Sequence, residues 1–353
     1  MRHAARIAVL TATCAVLSVS SGRLAAQQNS TDIKSLHVQG NVWMLVGPVS
    51  NAVVQIGEDG VLVVDTMMEQ NADAMVAEIK RLAPNKIIRY VVNTHVHLDH
   101  TGGNEKVAAA GRTLVAGNFA GQVAADSPAT IIAHENVLNR MSAPTGKQSS
   151  RPTAAWPNDS FFDDQKDLFF NGEGVELIHI PSAHTDGDLM VYFRKSDVLA
   201  AGDLYVNNTF PIVMTAEGGS YNGILTALNK IIDICIPRDK EEGGTFVVPG
   251  HGRLADEADV VDYRDMATVI HDRFADAIKK GMTLEQVKNA KLVQDYGRWA
   301  SNTGFWTTDK FVDAVYESMK PKPGAAPSGG RGAAPAAAPK APAAAAKPTG
   351  GKK

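Results

Sequence analysis

The chain has 353 residues, room for one large domain or two small ones, and 44% apolar against 21% charged residues marks an ordinary globular protein with a substantial core. Its formal net charge of −3 is unevenly spread: Arg2, Arg6 and Arg23 open the chain, and Lys320, Lys322, Arg331, Lys340, Lys347, Lys352 and Lys353 close it, with no acid at either end. Setting those ten cations aside takes the charge from −3 to about −13, and so acidic a body argues against nucleic-acid phosphate as the main partner.

The first 26 residues read as a secretory signal. Arg2 and Arg6 supply the positive region, Ile7 to Val19 the apolar region, and Leu24-Ala25-Ala26 a small-residue cleavage site before Gln27. The apolar run is shorter than the roughly 20 residues that span a bilayer, so no stable membrane span is expected in the mature chain. The expected location is periplasmic or secreted. Cys14 falls inside the apolar region and lacks the flanking pattern of a lipidation site. Cleavage leaves only Cys235, which forbids an intrachain disulfide and reads as a buried thiol in an apolar helical run.

From Ser35 to Asp65 the pattern is a β meander, with the Glu58-Asp59-Gly60 turn between two apolar runs as its strongest hairpin signal. Gln70 to Leu82 carries apolar residues at helical spacing and stops before Pro84. A strand, Ile87 to Val92, leads into a His-rich loop. A helix from Asn104 to Ala110 and a strand from Thr113 to Ala116 follow. Asn118 to Met141 reads as mostly helical, and the Pro- and Ser-rich Ser142 to Asp159 as an exposed binding loop or lid. A second β run then begins. Leu168 to Phe170 turns at Asn171-Gly172 into Val175 to Ile180, and Leu189 to Phe193 and Val198 to Ala200 come next. Ile224 to Cys235 is a helix, Phe246 to Val248 a strand and Asp256 to Lys280 a long helix. Thr283 to Tyr296 and Thr308 to Met319 complete residues 27–320 as one folded domain. Residues 321–353, rich in Ala, Pro, Gly and Lys, have no large apolar side chain to bury and read as a disordered tail. Strands and helices in this order predict an α/β layered protein.

The stretch Asn93-Thr94-His95-Val96-His97-Leu98-Asp99-His100-Thr101-Gly102-Gly103 places three imidazoles and a carboxylate within six residues at a strand's end. Extended backbone would aim His95, His97 and Asp99 one way, with His100 turned aside by the glycines. Three later strands end in the same manner, on His184, Asp203 and His251. Strand carboxyl ends are where α/β proteins build their sites. Imidazole and carboxylate are ligands for zinc and related divalent ions. Seven candidates (His95, His97, Asp99, His100, His184, Asp203, His251) exceed what one tetrahedral ion takes. They suit two ions sharing Asp203 and a bridging water or hydroxide.

This order of motifs, over roughly Ser35 to His251, resembles the metallo-β-lactamase superfamily. The resemblance implies a four-layer αβ/βα sandwich with two zinc ions, iron or manganese being the other options. It implies that His95, His97 and His184 bind the first metal, that Asp99, His100 and His251 bind the second, and that Asp203 bridges them. An Asp at the bridging position is similar to the glyoxalase II and lactonase branches. Zinc β-lactamases place a thiol there or lack the bridging carboxylate.

Two ions of this kind lower the pKa of a shared water from 15.7 towards about 7, and Asp99 could orient the hydroxide or carry its proton to the leaving group. The expected function is therefore an exported di-zinc hydrolase of a small ester, lactone, thioester or amide. The alternatives are a β-lactamase, an iron-dependent redox relative, and a non-catalytic relative. Trp156, Phe210 and Tyr221 are candidate lining residues of an apolar substrate pocket. His179 reads as a supporting residue, and His134 as a cleft, capping or solvated one.

Overall fold

The run Val61-Leu62-Val63-Val64 is buried at every position, so it must be covered on both faces. Val61 and Val63 pack among helices, while Leu62 and Val64 pack against a second sheet. That two-residue period sets the architecture. The computed structural model describes residues 32–113, 127–143, 151–241 and 243–321. Every element below falls in one compact unit that ends at Lys320.

The first sheet takes its strands in chain order: β1 (Lys34–Gln39), β2 (Val42–Val46), β3 (Asn51–Ile56), β4 (Val61–Val64), β5 (Ile88–Val92), β6 (Thr130–His134) and β7 (Asp159–Phe161). The first four form an antiparallel meander, closed between β3 and β4 by the predicted turn, where Gly57 N–H donates to Gly60 O. From β4 to β7 the pairing is parallel, as crossover helices require. Those connections carry α1 (Ala72–Leu82), the one-turn α2 (Leu98–Thr101), α3 (Asn104–Ala109) and α4 (Glu135–Ser142).

The second sheet runs in the order β13-β12-β11-β10-β9-β8, built from β8 (Gln165–Phe170), β9 (Glu173–His179), β10 (Leu189–Phe193), β11 (Val198–Gly202), β12 (Phe246–Pro249) and β13 (Ala255–Asp256). Its outer face packs on α5 (Tyr221–Ile234), α6 (Glu257–Lys279) and α8 (Thr308–Met319), with the short α7 (Leu284–Asn289) alongside. A capping box formed by Asp256 and Asp259 starts α6. Between the sheets lie Val42, Met44, Leu62, Val92, Phe170, Leu177, Val191 and Val248. At about 1.5–3 kcal/mol for each large aliphatic or aromatic side chain removed from water, this layer is what holds the sheets face to face. Helices on both outer faces make the four-layer αβ/βα sandwich.

Two expectations change. The segment expected as helix before Met141 contains β6, and residues 118–126 lie outside the described residues. Ile131 faces the helical layer and Ile132 the other sheet, a two-residue period that a short apolar run does not reveal in sequence. The expected helix to Tyr296 stops at Asn289, because Lys291 turns left-handed (φ 50°) before a 3-10 turn at Gln294–Trp299. The signal segment, most of the strand at Thr113 to Ala116, residues 144–150 and the tail from 322 onward lie outside the described residues. Among the described residues no helix is long and apolar enough to cross a membrane.

One glycine fixes how the sheets meet at the site. Gly202 ends β11 with φ +51°, and a Cβ there would lie 2.6 Å from Thr94 Oγ1 at the root of the His-rich loop. Gly172, also left-handed at φ +78°, faces nothing within 4 Å. Gly172→Ala should therefore cost only the left-handed backbone penalty, about 1–2 kcal/mol. Gly202→Ala should cost about 1–3 kcal/mol more through overpacking. Urea unfolding of the metal-free proteins checks this, and equal losses would show that Thr94 gives way freely.

Candidate metal centre

Each candidate ligand leaves the carboxyl end of a strand: the His-rich loop follows β5, His184 follows β9, Asp203 follows β11 and His251 follows β12. The sequence expectation of extended backbone through Asp99 holds only as far as His97. His97 is the N-cap of α2, and its carbonyl accepts from Thr101 Oγ1 (2.8 Å), so the chain coils from Leu98 onward. Helical backbone swings Asp99 away from His95 and His97 and towards His100. The structure accordingly gathers two groups, His95, His97, His184 and Asp203 in one and Asp99, His100 and His251 in the other, each with its donor atoms within 4.8 Å of one another.

The outer nitrogen of every imidazole is committed. His184 Nδ1–H donates to Ile212 O (2.8 Å) and His251 Nδ1–H to Val49 O (2.8 Å), since carbonyls only accept. His97 Nε2–H donates to Glu217 (2.9 Å) and His100 Nδ1–H to Asp65 (2.7 Å). Thr94 gives its hydroxyl proton to Asp65 (2.7 Å), so its oxygen accepts from His95 Nδ1–H (3.0 Å). In the neutral tautomers that these bonds select, the inner nitrogens are lone pairs. His97 Nδ1 stands 3.1 Å from His95 Nε2 and 2.9 Å from His184 Nε2, with no proton left to join them. His100 Nε2 and His251 Nε2 face each other at 3.5 Å.

Asp203 lies between the groups. Its oxygens are 3.3 Å from His251 Nε2, 3.4 Å from His100 Nε2 and 3.6 Å from His184 Nε2. Asp203 Oδ1 is buried without a hydrogen-bond partner, a costly arrangement unless a cation satisfies it. Converging lone pairs, two carboxylates and an orphaned oxygen fit divalent cations, which take neutral imidazole and ionised carboxylate.

The electrostatics divide in the same way. Burial pushes His95 well down, with His100 and His184 reinforcing it, and brings His184 to about 4, so both stay neutral donors. Burial also opposes charge on His100 and His251, but Asp203 and Asp99 outweigh it, holding His100 well above its ordinary value and His251 at about 10. Against its burial, Asp99 is held at about 2 by His100 and His251. His97, Asp99 and His251 keep 15–21% of their side chains exposed and form the open rim, whereas His95, His100, His184 and Asp203 are nearly sealed.

Several supporting residues escaped the sequence reading. Asp65, left-handed at φ 63°, accepts from Thr94 N–H, Thr94 Oγ1–H and His100 Nδ1–H, so one carboxylate orients two ligands. Its signal was a lone acid closing an otherwise apolar strand. Asn93 and Asn104 exchange buried amide hydrogen bonds (2.9 and 2.8 Å) beneath the loop. Arg151 donates to Val96 O (2.6 Å) and to Thr101 Oγ1, clamping the loop from the far side. Glu217 is the carboxylate on His97.

The expected pocket aromatics are not brought to the site. Phe210 is 1% exposed and stacks on Phe311 at 4.5 Å; Tyr221 is fully buried and donates to Ala267 O (3.0 Å). Both fill the helical core, because an aromatic next to a site loop packs inward when helices cover it. Trp156 packs beside the Val96 cluster and donates to Arg151 O (2.9 Å), supporting the His-rich loop from behind.

His134 caps α4, accepting from Asn136 N–H (3.3 Å), and stacks on His179 at 3.6 Å between ring centroids. His179 in turn donates to Asp186 O (2.9 Å), two residues past His184. Burial, then His179, pushes His134 from 6.5 down to about 4. Between those values the unfolded chain binds a proton that the folded chain does not, so stability falls as pH drops through that window. His134→Asn keeps the cap acceptor without the titration. Its urea midpoint should therefore lose less than the wild type's between about pH 7 and about pH 5, and equal losses would show that His134 titrates as in the unfolded chain.

Several known proteins are similar to this chain over part of its length. A 24% identical stretch of 178 residues, 50% of this chain, matches the 2,4-dinitroanisole O-demethylase subunit alpha of Nocardioides sp. (strain JS1661) and spans about half that protein's length, 48%. The stereoselective inverting sec-alkylsulfatase Pisa1 from Pseudomonas sp. superposes over 81% of this chain and 50% of its own, with TM-score 0.57 and 15% identity. A metallo-beta-lactamase from Pontibacter korlensis covers 67% of this chain and 99% of its own, with TM-score 0.49 and 16% identity. The family model of the metallo-beta-lactamase superfamily matches residues 45–251, from β2 through the last of the seven gathered residues. The chain belongs to the metallo-beta-lactamase superfamily.

Proposed function

We propose that the protein is an exported dinuclear zinc hydrolase acting on a small ester, lactone, thioester or amide. The observation that carries this reading is the convergence of five inward-facing imidazole nitrogens on two carboxylates, with Asp203 between the two groups. His95, His97, His184 and Asp203 would hold one ion, and Asp99, His100, His251 and Asp203 the other. Two such ions supply Lewis acidity and bring the pKa of water from 15.7 towards about 7. The chain's own part is to aim five donors, to keep His95 and His184 neutral by burial, and to leave one carboxylate at the rim. That carboxylate is Asp99, whose backbone carbonyl accepts from Ser50 Oγ–H (2.5 Å); its role would be to take a proton from the attacking water and pass it to the leaving group.

Export rests on the N-terminal pattern, with Gln27 as the first mature residue, and the basic segment after residue 320 is read as a tail outside the folded domain. The Nocardioides relative, whose name describes removal of a methyl group from an aryl ether oxygen, is a reason to test C–O cleavage beside acyl transfer.

Plasma mass spectrometry of the mature protein should find two zinc ions per chain. A panel of lactones, thioesters, esters, amides, nitrocefin and an aryl methyl ether should give turnover of one class. His97→Ala and Asp203→Ala should each lower turnover by more than about 100-fold, beyond the 10–100-fold typical of losing a ligand's outer partner, while circular dichroism stays native. Full activity in metal-depleted His97→Ala protein would refute the assignment. Iron without hydrolysis would move the reading to redox chemistry, and nitrocefin turnover alone to a β-lactamase.

A further inference from the structure

Among the five outer partners of the imidazoles, Glu217 stands apart. Ile212 O and Val49 O are backbone atoms, and Thr94 and Asp65 are buried at the base of the His-rich loop. Glu217 comes instead from a 3-10 turn, Thr215–Glu217, 120 residues further along the chain, and keeps 30% of its side chain exposed. It serves His97, which is also the most exposed imidazole of its group at 21% against 1% for His95 and His184.

The turn is held on the His184 loop at several points. Met214 N–H donates to His184 O (2.9 Å), Asp186 N–H to Glu217 O (3.0 Å) and Ser220 N–H to Ala183 O (2.8 Å). Gly218 closes it at φ +83°, and a Cβ there would lie 2.8 Å from Asp186 Cβ; one on Gly219 would lie 2.2 Å from His184 O. The backbone therefore sits directly against the loop that carries His184. From there the Glu217 carboxylate reaches His97 Nε2 at 2.9 Å. His97 packs edge-to-face on His95 and His184 (4.8 and 4.7 Å between ring centroids), contacts that do not by themselves choose its ring flip or its tautomer. The carboxylate makes both choices, accepting from Nε2–H and leaving the Nδ1 lone pair facing His95 and His184.

We infer that Glu217 is a positioning residue for the His95–His97–His184 metal site, setting its affinity through His97 and leaving the Asp99–His100–His251 site untouched. The inference rests on the dinuclear reading above. It also couples two ligand loops distant in sequence: the turn that carries Glu217 is hydrogen-bonded to the backbone of the His184 loop, so the Glu217–His97 bond fixes His97 relative to His184.

The test isolates each site in the full mature chain and titrates it with cobalt(II) against a competing chelator. A His251→Ala background leaves the first group complete, and a His184→Ala background leaves the second complete. Glu217→Gln should weaken cobalt binding by about 10–100-fold in the His251→Ala background and change its visible absorption, while binding in the His184→Ala background stays unchanged. Glu217→Ala should weaken the first site at least as much as Glu217→Gln, because the near-isosteric amide can still accept from Nε2–H without the charge. If the alanine variant folds poorly by circular dichroism, Glu217→Gln carries the test alone. Equal affinity of Glu217→Gln and Glu217 proteins in the His251→Ala background, or equal weakening in both backgrounds, would overturn the inference. Failure of the protein with neither background substitution to bind cobalt or zinc at all would instead overturn the dinuclear reading, a separate result.

Discussion

Five imidazoles facing one another with their protons turned outward is the arrangement on which the rest of the structure depends. The lone pairs of His95, His97 and His184, gathered at 2.9–3.1 Å, repel, and burying them beside an ionised Asp203 would be costly without a compensating cation. The protein accepts that cost because each outward N–H has an acceptor fixed by the fold: one hydroxyl, two carboxylates and two backbone carbonyls. The sandwich can be understood as the frame that brings those five acceptors to their places.

Topology explains how. Strands β4 and β5 run parallel, so Asp65 at the end of one lies beside the loop leaving the other, and a single carboxylate reaches both Thr94 and His100. In the second sheet β11 and β12 are parallel, which sets Asp203 and His251 side by side at the same edge. The sheets are then tied together at that edge by Asn51, whose N–H donates to Gly250 O (2.8 Å) and whose amide donates to Pro249 O (2.9 Å) and Gly252 O (3.0 Å). A frame stitched next to the ligands holds them to fractions of an ångström, a tolerance that loops alone would not keep.

The legible part of the molecule was the part encoded locally. Three His and an Asp within six residues, and single His or Asp residues just past apolar runs, announce themselves because strand periodicity and ligand type sit in the same few residues. The sandwich followed from the strand-helix order and the family likeness. What sequence could not show is what acts across distance. Nothing in Glu217 marks it among the acids of the chain until the fold carries it 120 residues back to His97. Val49 and Ile212 contribute carbonyls, which every residue has. Phe210 and Tyr221 depart from expectation for a related reason: an aromatic lining a cleft and one packed in a helical core have the same letters and the same neighbours in sequence.

The mixture of acceptors divides the site into parts with different tolerance of change. His184 and His251 are held by backbone carbonyls, so the side chains at Ile212 and Val49 can vary without altering what the imidazoles feel. Ile212 is buried, but Val49 is 43% exposed, and Leu98, between His97 and Asp99, is 55% exposed. Val49, whose carbonyl holds His251, and Leu98, on the His-rich loop, thus turn apolar side chains to solvent beside the site. His95, His97 and His100 depend on particular side chains, Thr94, Glu217 and Asp65, whose replacement would release an imidazole. Loops built this way can alter what meets the outside at Val49 and Leu98 while the donor set stays fixed, which is how one rigid frame can present different surfaces around the same chemistry.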